Sequence, residues 1–200
     1  MGRARARDVV RERIAHAAAR LMAEDGIEDY ALAKRKAARL AGLEDSRHLP
    51  NNDEIDAALR DYRQIYDPEE HGARLRELRQ HASNIMRDLA GFNPYLTGPV
   101  LSGTAGKYAG IQLQLFADSP KEVEWSLLNR GWAYRNGDAR FYVGGQLKIA
   151  PIFVLEYEGI EVKLTVLATD DVRTPFRLTP NGRAIDRAPL DVVEALLSAV

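Results

Sequence analysis

The hydrophobic period of this chain changes once, at Asn93-Pro94, and that change constrains the fold more than any other feature of the sequence. Before it, apolar residues recur at helical spacing with charged residues on the opposite faces. After it, apolar and polar residues alternate, as they do on strands that bury one face. The pattern therefore predicts an α+β protein, with a helical region over residues 1–91 and a sheet-containing domain over residues 92–200.

Apolar spacing and capping residues predict four helices in the first region. Two of them cover about residues 7–24 and 30–40, and the third begins within Asn51-Asn52-Asp53, residues that favour the N-cap position. The fourth begins at Pro68, with Asp67 as its N-cap. We expect these helices to pack through their apolar stripes.

The second region contains two strands with one polar face each. Ile111–Phe116 and Ile160–Leu167 both alternate apolar and polar side chains, and a long strand over about residues 147–157 lies before the Glu158-Gly159 turn. Asn136-Gly137 predicts a two-residue type I′ hairpin turn, because both positions of that turn need positive φ. We expect a mixed, mainly antiparallel sheet with flanking helices, whose polar face is either solvated or a site.

Composition excludes several classes of function. The chain has 200 residues, a formal net charge of −1 and no cysteine, so disulfides, thiol nucleophiles and thiolate metal sites are excluded. A net charge near zero does not favour a general nucleic-acid or membrane-surface binder. No signal-like apolar run follows the arginine-rich start, and no stretch approaches the roughly 20 apolar residues of a membrane span. We therefore expect a cytoplasmic protein.

A glycine-rich bend leads directly into the first of the two alternating strands. It contains Gly98, Gly103, Gly106 and Gly110. Glycines expose backbone N–H groups and let a phosphate approach the main chain closely. The bend therefore predicts a site for an anionic ligand.

The bend and the strand resemble the nucleotidyltransferase superfamily, including its minimal bacterial members. Gly98-Pro99, followed about ten residues later by Gly110-Ile111-Gln112-Leu113, is similar to that family's glycine-small pair and acidic-apolar-acidic strand. The resemblance covers about residues 95–167. It implies a site at which carboxylates at the positions of Gly110, Gln112 and Lys163 hold two Mg²⁺ ions.

None of the residues at those three positions is a carboxylate. Losing the metal forfeits several kcal/mol of transition-state stabilisation, so we expect a catalytically degenerate protein without a metal or other cofactor. Mg²⁺ would accompany the nucleotide only if some nucleotidyl transfer remains. Asp118, Asp170 and Asp171 are candidate substitute ligands, but alternation places only Glu161 beside Lys163. The expected nucleotide- or phosphate-binding residues are Gly98, Gly103, Thr104, Lys107, Gln112, Glu161 and Lys163.

Two alternative functions stay open from the sequence. Residues 11–26 and 37–42 resemble the first two helices of TetR-type repressors, but the acidic, proline-broken residues 43–50 do not predict a recognition helix. Basic N-terminal helices still allow DNA or RNA binding. The chain is alternatively a protein-interaction module with Tyr62 and Tyr66 as anchors, and its oligomeric state is open. The nucleic-acid candidates are Arg11, Lys34, Arg35, Lys36 and Arg39.

Overall fold

The computed structural model describes residues 2–27, 29–42, 49–66, 68–180 and 182–198. Its contacts divide the chain into two compact units. The first, the helical unit, is Met1–Ala73 with Gly106–Tyr108, and the second, the sheet unit, is Arg74–Ala105 with Ala109–Val200. The division falls within the fourth helix, whereas the sequence pattern placed all of that helix in the helical region. The reason is that the second part of the helix packs in the core of the sheet unit.

Three helices form the core of the helical unit. They are α1 (Gly2–Glu24), α2 (Tyr30–Leu40) and α3 (Asn52–Tyr66), and α1 packs against both of the others. Small side chains on α1 and α2 let the helix backbones approach closely. The buried core includes Ile14, Ala18, Ala33, Ala37, Ile55 and Leu59.

A capping box begins α3. Asn51 Oδ1 accepts a hydrogen bond from the Glu54 backbone N–H at 2.8 Å, and Glu54 Oε2 accepts one from the Asn51 N–H at 2.7 Å. The predicted start of this helix is therefore confirmed. The fourth helix, α4 (Pro68–Asp88), begins at the predicted proline. Its predicted cap, Asp67, and residues 43–48 lie outside the described residues.

The sheet unit is built on a mixed sheet of six strands within the described residues. Its order is β3-β4-β5-β2-β1-β6. Only β2 and β5 are parallel, and the four other pairs are antiparallel, which confirms the α+β class with a mainly antiparallel sheet. The strands are β1 (Tyr95–Thr97), β2 (Ile111–Phe116), β3 (Tyr134–Val143), β4 (Gln146–Tyr157), β5 (Ile160–Leu167) and β6 (Arg187–Ala188).

Helices and strands share the larger core of this unit. Besides α4, the helices are α5 (Gly98–Ser102), α6 (Pro120–Asn129) and α7 (Leu190–Ser198). Their apolar side chains pack with those on one face of the sheet, and Gln112 and Lys163 lie on the opposite, polar face. No described helix is both long and apolar enough to cross a membrane. The core includes Leu78, Ile85, Leu113, Val123, Leu127, Val162, Leu164 and Val193.

The β3–β4 hairpin turns at Gly144-Gly145, so the prediction of a turn at Asn136-Gly137 is wrong. Asn136 and Gly137 lie inside β3, opposite Phe153 and Ile152. Gly144 and Gly145 have φ values of 57° and 82°, and positive φ at both central residues is what a type I′ turn requires. A turn at this glycine pair lets all ten residues of β3 pair with β4.

Candidate functional site

A row of cross-strand partners crosses the polar face of the sheet. Gln112 lies opposite Lys163 in the parallel β2–β5 pair, and Thr97 on β1 lies opposite Gln112. On the other side, Val154 lies opposite Lys163, and Arg135 lies opposite Val154. Because direct cross-strand partners share a face of the sheet, these five residues form one row. The register therefore brings together Gln112 and Lys163, two of the residues that the sequence selected.

Gly98 lies beside the side chain of Gln112. Its φ is 70°, a backbone conformation that residues with a Cβ rarely adopt. A Cβ on Gly98 would lie 2.7 Å from Gln112 Oε1, well inside normal contact distance. Glycine at this position therefore allows the chain to turn from β1 into α5 and leaves room for the Gln112 amide.

Gly110 directly precedes β2 and lies against the backbone of Glu161 on β5. A Cβ on Gly110 would lie 2.6 Å from the backbone oxygen of Glu161. The acidic residue that the family resemblance implies here would need that same Cβ. Any residue with a Cβ at position 110, including a carboxylate, would therefore clash with the backbone of Glu161.

Two cations hold the carboxylate of Glu161. Its Oε1 lies 3.1 Å from Lys163 Nζ, and its Oε2 lies 2.7 Å from Arg135 Nη2. The hydrogen bond from Lys163 lowers the pKa of the Glu161 carboxyl, partial burial opposes this shift, and Arg135 adds to it. Glu161 is therefore ionised at neutral pH, and the site contains two cations around one carboxylate.

The residues at the three family-matching positions do not fit Mg²⁺. That ion prefers an octahedral shell of oxygen ligands, usually with carboxylates, whereas these positions supply an amide, an ammonium group and a glycine. Within the described part of the chain, no three His, Asp or Glu side chains converge as a metal site. A positive group occupies the place where the family resemblance implies a negative one.

The other predicted ligand residues do not join this row. Gly103 follows α5 with φ 78°, and Thr104 is only 4% exposed, with its Oγ1 2.7 Å from Ser102 Oγ. Lys107 belongs to the helical unit together with its neighbour Tyr108, and its Nζ lies 5.8 Å from the centre of that ring. The Thr104 hydroxyl is therefore occupied inside the bend, and Lys107 is part of the other unit.

Only part of the polar face is open to solvent. The next cross-strand pair, Gln114 and Thr165, is 3% and 9% exposed, and Gln114 Oε1 has no hydrogen-bond partner among the described residues. We call Gln112, Arg135, Glu161 and Lys163 the open half of the face, whereas Thr97, at the β1 end of the row, is only 6% exposed. We call Gln114, Thr165 and the adjoining apolar cluster the covered half. That cluster contains Phe116, Phe141, Ala150, Leu167 and Phe176.

A cavity of about 250 Å³ adjoins the covered half. Asp118 and Asp171, which the sequence offered as substitute metal ligands, both line it. Asp118 Oδ1 accepts a hydrogen bond from Thr169 at 2.5 Å, and Asp171 Oδ2 lies 3.2 Å from Lys148 Nζ. These carboxylates therefore belong to a different part of the sheet unit from Gln112 and Lys163.

Several basic side chains of the helical unit have polar partners. Burial lowers the pKa of Lys34, although the nearby charge of Glu54 opposes that shift. Arg35 and Arg39 are exposed on α2. Nucleic-acid binding by this surface stays a prediction. The pairs are Arg11 with Glu54 at 3.1 Å, Lys34 with Asn52 at 2.7 Å, and Lys36 with Asp25 at 3.6 Å.

The helical unit holds a larger cavity, of about 490 Å³. Tyr62 lines it and donates a hydrogen bond to Glu24 Oε1 at 2.6 Å, so its hydroxyl is engaged within the unit. The side chain of Tyr66 lies outside the described part of the structure. A role of these tyrosines in docking a protein partner stays a prediction. The other described lining residues are Arg13, His16, Ala17, Arg20, Leu40, Ala41 and Asp61.

Sequence reasoning missed Arg135. The predicted turn at Asn136-Gly137 placed this residue beside a loop, whereas the structure places it within β3, in the same row as Lys163. The signal that locates it is the Gly144-Gly145 pair, because a two-residue turn there fixes the β3–β4 register.

Comparison of the chain with protein-family models, with curated proteins and with solved structures finds no match. The resemblance to nucleotidyltransferases therefore stays a prediction from the sequence of the bend and the strand that follows it.

Proposed function

We propose that this protein is a catalytically degenerate member of the nucleotidyltransferase fold that binds a nucleotide or another phosphate-bearing ligand without a two-metal carboxylate site. The proposed site is the open half of the polar sheet face. The observation that supports it is the register that sets Gln112 beside Lys163, with Gly98 against the Gln112 amide.

The chemistry of these side chains suits a phosphate oxygen. The Lys163 ammonium group has three donors, and the Gln112 amide has two more. The Lys163 side chain is 42% exposed, so its charge is accessible to a ligand from solvent. In a metal-dependent site, carboxylates repel phosphate until the metal ions bridge them, whereas an ammonium group attracts phosphate directly. This site therefore needs no bridging cation.

Calorimetric titration with ATP, GTP and pyrophosphate tests the proposal. We expect at least one of them to bind and to raise the melting temperature, because a ligand that binds only the folded state stabilises it. Lys163→Gln should weaken binding by at least about tenfold, because a hydrogen bond to a charged group contributes roughly 1.5–3 kcal/mol.

Lys148→Gln is the matched control. It removes an ammonium group from the same sheet, one that pairs with Asp171 outside the open half, and it should leave the affinity unchanged. Absence of binding by all three compounds at millimolar concentration contradicts the proposed site. Mg²⁺-dependent transfer of a labelled nucleotide would show that the protein is not degenerate.

A further inference from the structure

We infer that Arg135 and Lys163 together bind the terminal phosphate of the ligand, and that the Glu161 carboxylate occupies the place of this phosphate in the ligand-free protein. The inference rests on the proposed function, and it adds a second binding cation and an internal competitor to the site. Its starting point is the position of Glu161 between two positive groups.

The two oxygens of one carboxylate contact two different cations. Oε1 of Glu161 faces Lys163 at 3.1 Å, and Oε2 faces Arg135 at 2.7 Å. A terminal phosphate also presents two or more oxygens from one centre, and it carries more negative charge than a carboxylate. The same pair of cations is therefore spaced to accept a terminal phosphate.

The ion pairs of Glu161 are exposed enough to be displaced. The side chains of Arg135, Glu161 and Lys163 are 72%, 43% and 42% exposed, and exposed ion pairs contribute little to stability. In addition, Glu156 lies directly opposite Glu161 on the neighbouring strand and carries the same charge. The carboxylate can therefore leave the two cations when a stronger anion arrives.

This arrangement selects a class of ligand. A terminal phosphate or pyrophosphate with several free oxygens can contact both cations, whereas an uncharged nucleoside has no group that replaces the carboxylate. We therefore expect the phosphate end of the ligand to supply most of the affinity, and we expect Glu161 to reduce that affinity by competition.

Removing the competitor tests the inference directly. Glu161→Gln keeps the size of the side chain but releases both cations, so the affinity for ATP and for pyrophosphate, measured by calorimetry in chelator, should rise by about three- to tenfold. Glu156→Gln is the matched control. It removes the same charge from the cross-strand neighbour and should change the affinity by less than about twofold.

The outcomes separate the inference from the proposed function. If the wild-type protein binds ATP and Glu161→Gln binds it no more tightly, the inference fails and the proposed function stands. If neither protein binds any of these anions, both fail. A comparable gain in both variants would mean that net charge alone governs binding, which also overturns the inference.

A second pair of variants tests the assignment of Arg135. In the Glu161→Gln background, Arg135→Gln should weaken ATP binding by about fivefold or more, because a guanidinium–phosphate contact is lost. Arg140→Gln is its control, since Arg140 lies on the same strand but on the opposite face of the sheet. Equal effects of the two substitutions would overturn the assignment.

Discussion

The open and covered halves of the polar sheet face lie on the same parallel strands but offer different chemistry to a ligand. In the open half, Gln112 and Lys163 are partly exposed and stand beside an ionised carboxylate. In the covered half, Gln114 and Thr165 have the same kind of alternation and the same pairing, yet they are buried. The difference shows that alternation identifies a polar face, while the segments packed on that face determine which part of it is exposed to solvent.

We expect the largest effect on stability from Phe176, which belongs to the apolar cluster of the covered half. Phe176 is 3% exposed and packs edge-on against Phe141, with ring centres 5.7 Å apart. Phe176→Ala should cost about 3–5 kcal/mol of unfolding free energy, because it removes a buried ring and leaves a cavity. Denaturant unfolding measures this cost. The control Leu178→Ala, at a side chain that is 65% exposed, should change stability by no more than about 0.5 kcal/mol.

A cost below about 1 kcal/mol for Phe176→Ala would contradict the covered half as described. The ATP affinity of Phe176→Ala should equal that of the wild-type protein, because Phe176 lies outside the open half.

We expect the next largest effect on stability at Gly110, which lies against the backbone of β5. Gly110→Ala should destabilise the protein by about 1–3 kcal/mol, because its Cβ would lie 2.6 Å from the backbone oxygen of Glu161 and the strands would have to separate. Thermal unfolding measures the loss. Gly137→Ala is the control: Gly137 lies within β3, a Cβ placed on it would meet no atom within 4 Å, and the change should be neutral or slightly stabilising. Equal tolerance of both alanines would remove the steric reason for Gly110.

The smallest expected effect on stability comes from replacing Gln114, and it differs in kind from the effect of replacing Gln112. Gln114→Leu should leave stability unchanged or raise it by up to about 1 kcal/mol, because the buried Oε1 of Gln114 lacks a hydrogen-bond partner among the described residues. Gln112→Leu should instead weaken ligand binding with little change in stability. Chemical denaturation and calorimetry of both variants measure these differences. A loss of more than about 1 kcal/mol in Gln114→Leu would mean that this oxygen has a partner.

Much of the fold was predictable from local pattern. The strands Ile111–Phe116 and Ile160–Leu167 have the predicted bounds, and Glu158-Gly159 forms the predicted turn, with φ values of 50° and 80°. These elements are specified by alternation and by turn residues, which act over a few positions. The sequence therefore predicted the polar face and three of its residues, Gln112, Glu161 and Lys163.

The rest required knowledge of the pairing between distant strands. Asn136-Gly137 and Gly144-Gly145 both satisfy the needs of a two-residue turn, and local sequence does not decide between them. Because the turn was predicted at Asn136-Gly137, Arg135 was not identified as a residue of the site. Likewise, Gln114 is buried, and its neighbour Phe116 joins a cluster with Phe141 and Phe176, which come from distant parts of the sequence. Long-range packing, not local propensity, determined what was missed.

The most direct test of the central claim is the affinity for ATP in chelator compared with the affinity in excess Mg²⁺. Because Lys163 and Arg135 supply the positive charge, we predict that ATP binds in chelator at least as tightly as it does with Mg²⁺, which neutralises part of the phosphate charge. Binding that appears only in the presence of Mg²⁺ would contradict the account.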